Sequence, residues 1–289
     1  MDGKIGIIGG SGFYKMDGIK KLKKVKMATP FGKPSDDFVT GVLDGKEVVF
    51  LARHGKGHHI LPSELNYCAN IWGMKKLGVD RIISISACGS LRKDIQPLDI
   101  VVPDQFVDRT NQARRMTFFG EGIVGHIVFA DPVCPELSKA LYKAGKVAGA
   151  NMHRGGTYIN MEGPQFSTRA ESELYRSWGM DIIGMTNIGE ARCAREAEIC
   201  YSTLACVTDY DCWYLSEKIE HVSVELVIQN LMKNIDMAKK ILKEALPKLS
   251  GHRNCLCANA LKDAIITNPK NIPADTKEKM ELIIGKYVK

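Results

Sequence analysis

The sequence predicts a single α/β domain, and the alternation of its apolar segments is the main reason. Short apolar runs of strand length alternate with longer segments of helical periodicity through residue 246. Because strands separated by helices usually pair in parallel, we expect a mainly parallel sheet with helices on both faces. The fractions of hydrophobic residues, 45%, and of charged residues, 25%, are those of an ordinary folded protein.

The individual strands and helices follow from this alternation in chain order. Apolar runs predict strands over residues 5–8, 48–52, 81–86, 100–102, 157–161, 181–185 and 201–207. Helical periodicity predicts helices over residues 62–77, 135–149, 168–178, 188–197 and 222–245. Pro62 suits the first turn of the first of these helices, and Gly78 suits its end.

The last part of the chain is predicted to be an extension of the main domain. A polar break at residues 250–254 precedes two shorter helical patterns, at residues 258–266 and 275–287. We therefore divide the chain into a domain of residues 1–250 and a helical extension of residues 251–289. The extension is expected to pack on the core or to lie at a subunit interface.

The positive charge of the chain is concentrated near its beginning. The net charge is +7, from 40 basic and 33 acidic residues, and lysines cluster between residues 15 and 33. A nucleic-acid-binding segment would be expected to carry arginines and aromatic residues among the lysines. The lysine cluster is therefore predicted to be a solvated face or a loop, and no nucleic-acid partner is expected. A mildly positive field would still attract an anionic substrate such as phosphate.

The apolar segments also bear on the compartment. No apolar run reaches the roughly 20 residues that cross a bilayer. The apolar stretch near the N-terminus is too short for a signal peptide and has no small-residue cleavage site after it. We expect a cytoplasmic protein with no membrane partner.

The nine cysteines do not indicate a disulfide framework, because their number is odd and no secretory signal is expected. His252, Cys255 and Cys257 form an H-x-x-C-x-C pattern, but a fourth ligand is missing at any standard spacing. No metal site is therefore expected. A redox-active or disulfide-forming Cys255–Cys257 pair is more plausible than a metal, and free thiols are favoured over both.

A glycine-rich turn follows the first predicted strand. Glycines let backbone N–H groups approach phosphate oxygens closely, which suggests either a dinucleotide or a free phosphate. Residues 9–12 lack the third glycine of the dinucleotide fingerprint, and no acidic residue ends a second strand about twenty residues later. A nicotinamide-dependent oxidoreductase is therefore disfavoured, and a free phosphate bound by the Ser11 hydroxyl fits better.

Polar side chains also follow other predicted strands. Arginine matches phosphate oxygens with a planar fork of donors, and imidazole or hydroxyl groups can add to it. Because parallel sheets bind ligands at the carboxyl ends of their strands, these side chains form a candidate anion site. They are Arg53, His54, Ser86 and Thr186.

Two carboxyl groups follow the predicted strand at residues 201–207. Asp209 and Asp211 can both face a cleft, and closely spaced acids disfavour double ionisation. One of them can then stay protonated and act as a general acid. A solvated acidic turn is the alternative. Phe166, which precedes a predicted helix, can stack on an aromatic ring or lie in the core.

The motifs together resemble a known family. The chain contains, in order, Gly-Ile-Ile-Gly-Gly-Ser-Gly at residues 6–12, Arg53-His54-Gly55, Ser86-Ala87-Cys88-Gly89-Ser90, Met161-Glu162-Gly163-Pro164, Met185-Thr186 and Thr208-Asp209-Tyr210-Asp211-Cys212-Trp213. From about residue 4 to about residue 247, the chain resembles the trimeric purine nucleoside phosphorylase family. The resemblance implies a single α/β domain around a central mixed, partly barrel-like sheet flanked by helices, assembled as a homotrimer or a dimer of trimers.

The resemblance also implies a reaction. It is the phosphorolysis of S-methyl-5′-thioadenosine to adenine and 5-methylthioribose 1-phosphate, as a pentosyltransferase of purine and methionine salvage. The alternative is a broader purine nucleoside phosphorylase acting on adenosine or inosine. Inorganic phosphate is then a co-substrate, and no cofactor is expected.

Site residues follow by similarity. Phosphate would be held by Ser11, Arg53, His54, Ser86 and Thr186. The nucleoside would be bound by Ala87, Phe166, Ser167, Met185, Asp209, Asp211, Val224 and Val227, with His126 supplied by a neighbouring copy of the chain. A protonated Asp209 would donate to purine N7, and Asp209 and Asp211 would read the base. An ionised carboxylate accepts from the 6-amino group of adenine but cannot donate to a 6-oxo group.

Overall fold

The computed structural model describes residues 3–10, 16–111, 113–214 and 224–288, apart from the side chains of residues 224 and 226. The described strands are β1 (Lys4–Gly9), β2 (Lys20–Val25), β3 (Phe38–Leu43), β4 (Lys46–Ala52), β5 (Val79–Ser90), β6 (Ile100–Val102), β7 (Gln105–Arg109), β8 (Met152–Arg154), β9 (Thr157–Met161), β10 (Ile182–Gly184) and β11 (Cys200–Asp209). The α-helices are α1 (Tyr67–Lys76), α2 (Pro135–Val147), α3 (Arg169–Ser177), α4 (Asn187–Glu196), α5 (Val224–Ala245) and α6 (Ala274–Ile284).

The strands form one mixed 11-stranded sheet that branches at β5. Its main path runs β2-β3-β4-β1-β5-β10-β9-β7, and β11 joins β5 and continues to β6 and β8. β1 is parallel to β4 and β5, and β11 is parallel to β5, whereas β10 and β6 pair antiparallel with β5 and β11. The central mixed sheet is thus confirmed, and six of the ten described strand pairings are parallel, as the expectation of a mainly parallel sheet requires.

Helices cover both faces of the sheet, as the alternation predicted. Successive residues of a strand point to opposite faces. Ile8 packs with α1, α4 and α6 in one apolar cluster, whereas its neighbour Ile7 packs with α2 and α5 in another. Ile82 and Ile83 on β5 divide in the same way. The middle strands are therefore buried on both sides.

The register of the middle strands brings their carboxyl ends to one edge. Gly9 of β1 lies opposite Ala52 of β4, and Ile8 lies opposite Ser84 of β5. Asp209, the last residue of β11, lies opposite Gly89 of β5. Gly10 and Arg53, which directly follow β1 and β4, therefore lie beside the second half of β5, which carries Ser86 and Ala87.

The lysine cluster is partly an edge strand. Lys20–Val25 forms β2, which is exposed along nearly its whole length and pairs antiparallel with β3. The prediction of a solvated face is confirmed for these residues, although the alternative of a loop is wrong. Lysines on an edge strand oppose the addition of a further strand from another chain.

The extension packs against the main domain. Leu261, Ile283 and Ile284 are buried in the same apolar cluster as α1 and α4. The carboxylate of Glu198 accepts hydrogen bonds from the Leu261 backbone N–H at 3.2 Å and from the Tyr287 hydroxyl at 2.5 Å. Residues 251–288 are thus fixed to the main domain by buried apolar contacts and by hydrogen bonds to the Glu198 carboxylate.

Some predicted boundaries differ from the observed ones. The predicted helix at 62–77 is a short 3₁₀-helix at Pro62–Glu64 followed by α1. The helical pattern at 258–266 is wrong, because only a 3₁₀-helix at Leu256–Asn259 forms there and Ile265 pairs with Gly125 as a β-bridge. The pattern at 275–287 is confirmed as α6. Strands β2, β3, β7 and β8 were not predicted. No helix in the described ranges combines the length and the apolar character that crossing a membrane requires.

Candidate active site

Arg53 is anchored below the carboxyl ends of the middle strands. The residue is 4% exposed, and its backbone N–H donates to the Gly9 carbonyl at 2.9 Å. Its Nε donates to Glu190 Oε1 at 2.5 Å, and Nη1 donates to the Ile85 carbonyl at 2.9 Å. Burial opposes the positive charge, but pairing with Glu190 outweighs it and raises the pKa of Arg53. The guanidinium is permanently charged, and much of its donor fork is already used within the protein.

Glu190 ties this arginine to a buried polar network. Its Oε2 accepts from Ser84 Oγ at 2.8 Å and from the Tyr201 hydroxyl at 2.9 Å. Asn187, three residues before Glu190 on α4, donates to Thr203 Oγ1 at 2.7 Å and to Tyr201. These bonds fix α4 against β5 and β11, although Asn187 Oδ1 has no hydrogen-bond partner among the described residues. Glu190 and Asn187 were not predicted as part of the site.

Two of the predicted phosphate ligands carry hydroxyl groups that neither cap a helix nor make a hydrogen bond within the described part of the core. Ser86 Oγ on β5 is buried near the Tyr158 hydroxyl, and neither group makes a hydrogen bond of good geometry to another described residue. Thr186 is 5% exposed and precedes α4, but its side chain makes no capping bond to that helix. β5 continues to Ser90, so Ser86 lies within the strand and not at its end as predicted. Buried polar groups are nearly always paired, so a poorly paired hydroxyl next to Ile85, which Arg53 contacts, is available to a ligand. Helix α4 also directs the positive end of its dipole toward this place.

His54 is held in one tautomer. Its Nδ1 lies 2.8 Å from the Ile60 carbonyl, which can only accept, so Nδ1 carries the proton. Burial and the neighbouring charge of Arg53 lower the pKa of His54 to about 4. The ring is therefore neutral at pH 7, and its Nε2 can accept a hydrogen bond from the hydroxyl of hydrogen phosphate. Ser11, the remaining predicted phosphate ligand, lies outside the described residues.

Asp209 is a buried carboxyl at the end of β11. It is 6% exposed, and Thr208 Oγ1 donates to its Oδ2 at 2.6 Å while the Asp211 backbone N–H donates to its Oδ1 at 2.8 Å. Burial raises the pKa of Asp209 to about 6, against the effect of these hydrogen bonds. A Cβ on the opposite Gly89 would lie 2.9 Å from Oδ1, so glycine there makes room for the carboxyl. Such a group can carry a proton close to neutral pH.

Asp211 and the loop after β9 lie beside it. Asp211 is 8% exposed, and burial raises the pKa of its carboxyl. The Cys212 thiol donates to the Ser167 carbonyl at 3.3 Å, which brings the loop of residues 162–168 to this side of the site. Ser167 is buried, whereas Phe166 is 42% exposed. An exposed phenylalanine in such a loop is placed for stacking rather than for the core.

Met185 is positioned by an arginine that sequence reasoning missed. The Arg114 side chain is buried, and its Nη1 donates to the Met185 carbonyl at 2.6 Å while its Nε donates to Glu162 Oε1 at 3.1 Å. Gly163 has a φ of 72°, and a Cβ there would lie 2.5 Å from the Met185 sulfur. The segment after β9 and the segment after β10 are thus held together. Ala87, the remaining predicted nucleoside ligand of this part of the site, is half-buried on β5.

Helix α5 is bonded to the end of β11. Asn230 Nδ2 donates to the Thr208 carbonyl at 2.7 Å, and Asn234 Nδ2 donates to the Val207 carbonyl at 2.9 Å. Val227 precedes Asn230 by three residues and therefore shares its face of the helix. This places Val227 on the side of α5 that faces Asp209. The side chain of Val224 lies outside the described part of the chain.

His126 lies apart from these groups within one chain. It is exposed, and its backbone N–H donates to Ala264 of the extension at 2.8 Å. None of the hydrogen bonds and ion pairs of the described residues joins it to Asp209 or Arg53. Its predicted contribution requires a second copy of the chain and stays a prediction.

The two halves of the site lie along one strand. Arg53 contacts the Ile85 carbonyl, Ser86 follows, and Asp209 lies against Gly89. At about 3.3 Å per residue, Ser86 and Gly89 are about 10 Å apart. That span can hold a sugar with an anion at one end and a heterocycle at the other.

Comparison with known proteins identifies the family of the chain. The sequence profile of the phosphorylase superfamily matches residues 4–247. The chain belongs to the phosphorylase superfamily. The match ends close to the start of the extension, and it contains every predicted site residue.

Two relatives that match the chain over its full length have the same name. The S-methyl-5′-thioadenosine phosphorylase of Geobacter sulfurreducens is 60% identical over 288 residues, which cover 100% of this chain and 100% of that protein. The protein of the same name from Koribacter versatilis is 56% identical, with 99% of this chain and 97% of that protein covered. The similarity thus includes the extension.

Solved structures have the same fold. A methylthioadenosine phosphorylase from an antarctic soil metagenomic library superposes with a TM-score of 0.92 at 47% identity, covering 98% of this chain and 99% of that one. The methylthioadenosine phosphorylase of Schistosoma mansoni in complex with adenine superposes with a TM-score of 0.81 at 36% identity, covering 98% of both chains.

Proposed function

We propose that this chain cleaves S-methyl-5′-thioadenosine with inorganic phosphate, giving adenine and 5-methylthioribose 1-phosphate. The observation that carries the proposal is that a buried hydroxyl, Ser86 on β5, and a buried carboxyl of raised pKa, Asp209 at the end of β11, lie on two adjacent strands. The names of the full-length relatives support the choice of substrate.

The phosphate end of the site promotes loss of the base. Cleavage of the glycosidic bond passes through a state with positive charge on the sugar. A phosphate held by the hydroxyls of Ser86 and Thr186, near the charge of Arg53, stabilises that state electrostatically. A phosphate oxygen then bonds to the anomeric carbon as the pair of electrons of the C–N bond leaves with adenine. Binding both reactants at one rigid edge of the sheet lowers the entropic part of the activation barrier.

The base end of the site neutralises the leaving group. The protonated carboxyl of Asp209 donates its proton to purine N7, and the carboxylate that remains is reprotonated from water after adenine leaves. General acid catalysis of this kind contributes typically ~10²–10⁴-fold. The carbonyl oxygen of the same carboxyl accepts from the 6-amino group, so one acid group provides both the donor and the acceptor that adenine requires.

The 5′ substituent is expected to lie against α5. Val227 presents an apolar side chain on the face that points to the end of β11, and Val224 lies one turn earlier. An apolar wall favours methylthio over hydroxyl only modestly, by about 1–3 kcal/mol. Adenosine is therefore the second candidate substrate, and a related Schistosoma mansoni protein is described as an adenosine/methylthioadenosine phosphorylase.

The assembly and setting of the enzyme belong to the same proposal. We expect a homotrimer, or a dimer of trimers, in which His126 reaches the site of a neighbouring copy. The reaction needs phosphate as a co-substrate and no cofactor, and it takes place in the cytoplasm. Sedimentation analysis of the purified chain tests the assembly, and a monomer with full activity would contradict it.

Comparison of three nucleosides tests the substrate. At saturating phosphate, kcat/KM should be highest for S-methyl-5′-thioadenosine, lower for adenosine and much lower for inosine, because the 6-oxo group of inosine offers no N–H to an acceptor on Asp209. Faster cleavage of inosine than of adenosine would contradict the proposed reading of the base.

A further inference from the structure

We propose that Cys134, Cys200, Cys255 and Cys257 form a structural zinc site that fastens the C-terminal extension to the main domain. Their sulfur atoms all lie within 4.8 Å of one another. Cys134, Cys200 and Cys257 are buried, and Cys255 is partly exposed. The set is remote from the proposed chemistry, since Cys200 begins β11 and Asp209 ends it.

The spacing of the sulfurs suits a metal better than disulfides. Zinc binds thiolate at about 2.3 Å in tetrahedral sites, which places the sulfurs of one site about 3.8 Å apart. The sulfurs of Cys200 and Cys255 are 3.3 Å apart, and the outer limit of the set is 4.8 Å. A disulfide requires about 2.05 Å. The four sulfurs therefore form one cluster, and none of the described pairs is at the bonding distance of a disulfide.

Three separate parts of the fold supply the ligands. Cys134 precedes α2, Cys200 begins β11, and Cys255 and Cys257 flank the start of the 3₁₀-helix at Leu256–Asn259. The Cys-x-Cys pair alone lacks two ligands, and its missing partners are distant in sequence. Four sulfur ligands and no open position are typical of a structural zinc site.

The polar surroundings suit a negatively charged centre. Cys134 is the residue just before α2, so the positive end of that helix dipole lies beside its thiol. Arg81 lies opposite Cys200 in the sheet and donates to the His252 carbonyl at 3.1 Å. Four thiolates on a divalent ion leave a charge of −2, which such donors and cations stabilise.

The thiols strongly influence one another. Without a cation, four thiolates this close would repel one another. A divalent ion removes that conflict, and binding it releases the thiol protons.

Metal analysis of the full-length chain tests the proposal. The protein, purified under reducing conditions without chelator, should contain about one zinc per chain by plasma mass spectrometry. Cys255→Ser and Cys257→Ser should each lose most of the zinc. Cys206→Ser is the matched control, because Cys206 is a buried thiol of β11 outside the cluster, and it should keep its zinc.

A second measurement uses the unmodified chain, so it does not depend on the folding of a variant. Protein produced with cobalt in place of zinc should show the intense visible absorption of a tetrahedral cobalt–thiolate site. Intact mass under native conditions should exceed the chain mass by one zinc ion. Protein that contains no zinc would overturn the proposal, whether the mass shows four free thiols or the loss of four hydrogens that two disulfides entail. A different bound metal would overturn it as well.

Discussion

Ser86 is the most direct test of the phosphate end at the scale of single residues. Ser86→Ala removes a buried hydroxyl that is unpaired in the described structure, so the free energy of unfolding should change little. Hydrogen bonds to charged groups are worth about 1.5–3 kcal/mol, so the KM for phosphate should rise about 10–100-fold. Steady-state kinetics at varied phosphate measure this effect.

Ser202→Ala is the matched control. Ser202 is a fully buried serine of β11 whose Oγ lies 3.0 Å from Ser138 Oγ. Its replacement should lower stability and leave the KM for phosphate unchanged. Equal phosphate KM values for Ser86→Ala and the wild-type chain would remove Ser86 from the phosphate site.

Asp209 determines the expected dependence of the rate on pH. General acid catalysis needs the protonated carboxyl, and burial raises its pKa to about 6. With phosphate kept saturating, kcat/KM should therefore decline as the pH rises above about 6. Asp209→Asn should lower kcat by ~10²–10⁴-fold and abolish that decline. An unchanged pH profile in the variant would assign the acid to another group.

The same carboxyl should reduce the stability of the protein at neutral pH. A raised pKa means that the carboxyl ionises less readily in the folded than in the unfolded state. The free energy of unfolding therefore falls as the pH rises from about 4 to about 6. At about 1.4 kcal/mol per pKa unit, Asp209→Asn should be more stable by up to about 3 kcal/mol above pH 6 and no more stable at pH 4. Urea unfolding at both pH values measures the difference, and a gain that does not depend on pH would contradict this account.

At the scale of elements, α5 is expected to select the 5′ substituent. Val227→Ala should lower the ratio of kcat/KM for S-methyl-5′-thioadenosine to that for adenosine by about 10-fold, because a lost apolar contact of this size is worth about 1–3 kcal/mol. Ile228→Ala is the control, since Ile228 is 54% exposed on the same helix and should leave the ratio unchanged. Equal ratios in the two variants would place the 5′ pocket elsewhere.

Elements with a clear apolar period were predictable from the sequence. β6 and β9 were predicted with their observed bounds, and β1, β4, α2 and α4 to within two residues at either end. β2 was missed because its lysines show no alternation: as an exposed edge strand, it has no buried face to require one. The pattern at 258–266 was wrong because Leu261 and Ala264 are buried from turns rather than from a helix.

Interactions between distant elements were not predictable. Phosphate and base ligands could be proposed because they follow strands, and one sheet edge collects strand ends. Glu190 and Arg114 were missed because their partners, Arg53 and Met185, lie far away in sequence and no local pattern connects them. The four-cysteine cluster was missed for the same reason. An acidic residue or a thiol on the buried face of a predicted element could nevertheless have indicated that it has a partner elsewhere in the chain.

At the scale of the whole molecule, the proposed active site and the contacts that hold the extension lie at opposite ends of the middle strands. The carboxyl ends of β1, β4, β5 and β11 carry the proposed site, whereas the start of β11 and the extension form the cysteine cluster. Glu198 and the apolar residues of α6 join the extension to the core. The extension therefore stabilises the domain without taking part in the proposed reaction within one chain.

The dependence of adenine release on phosphate tests the central claim most directly. The chain, freed of phosphate, is given S-methyl-5′-thioadenosine with and without inorganic phosphate, and adenine and phosphate are both measured. We expect release only with phosphate, with one phosphate consumed for each adenine formed. Adenine release at the same rate without phosphate, accompanied by the free sugar, would show a hydrolase and contradict the account.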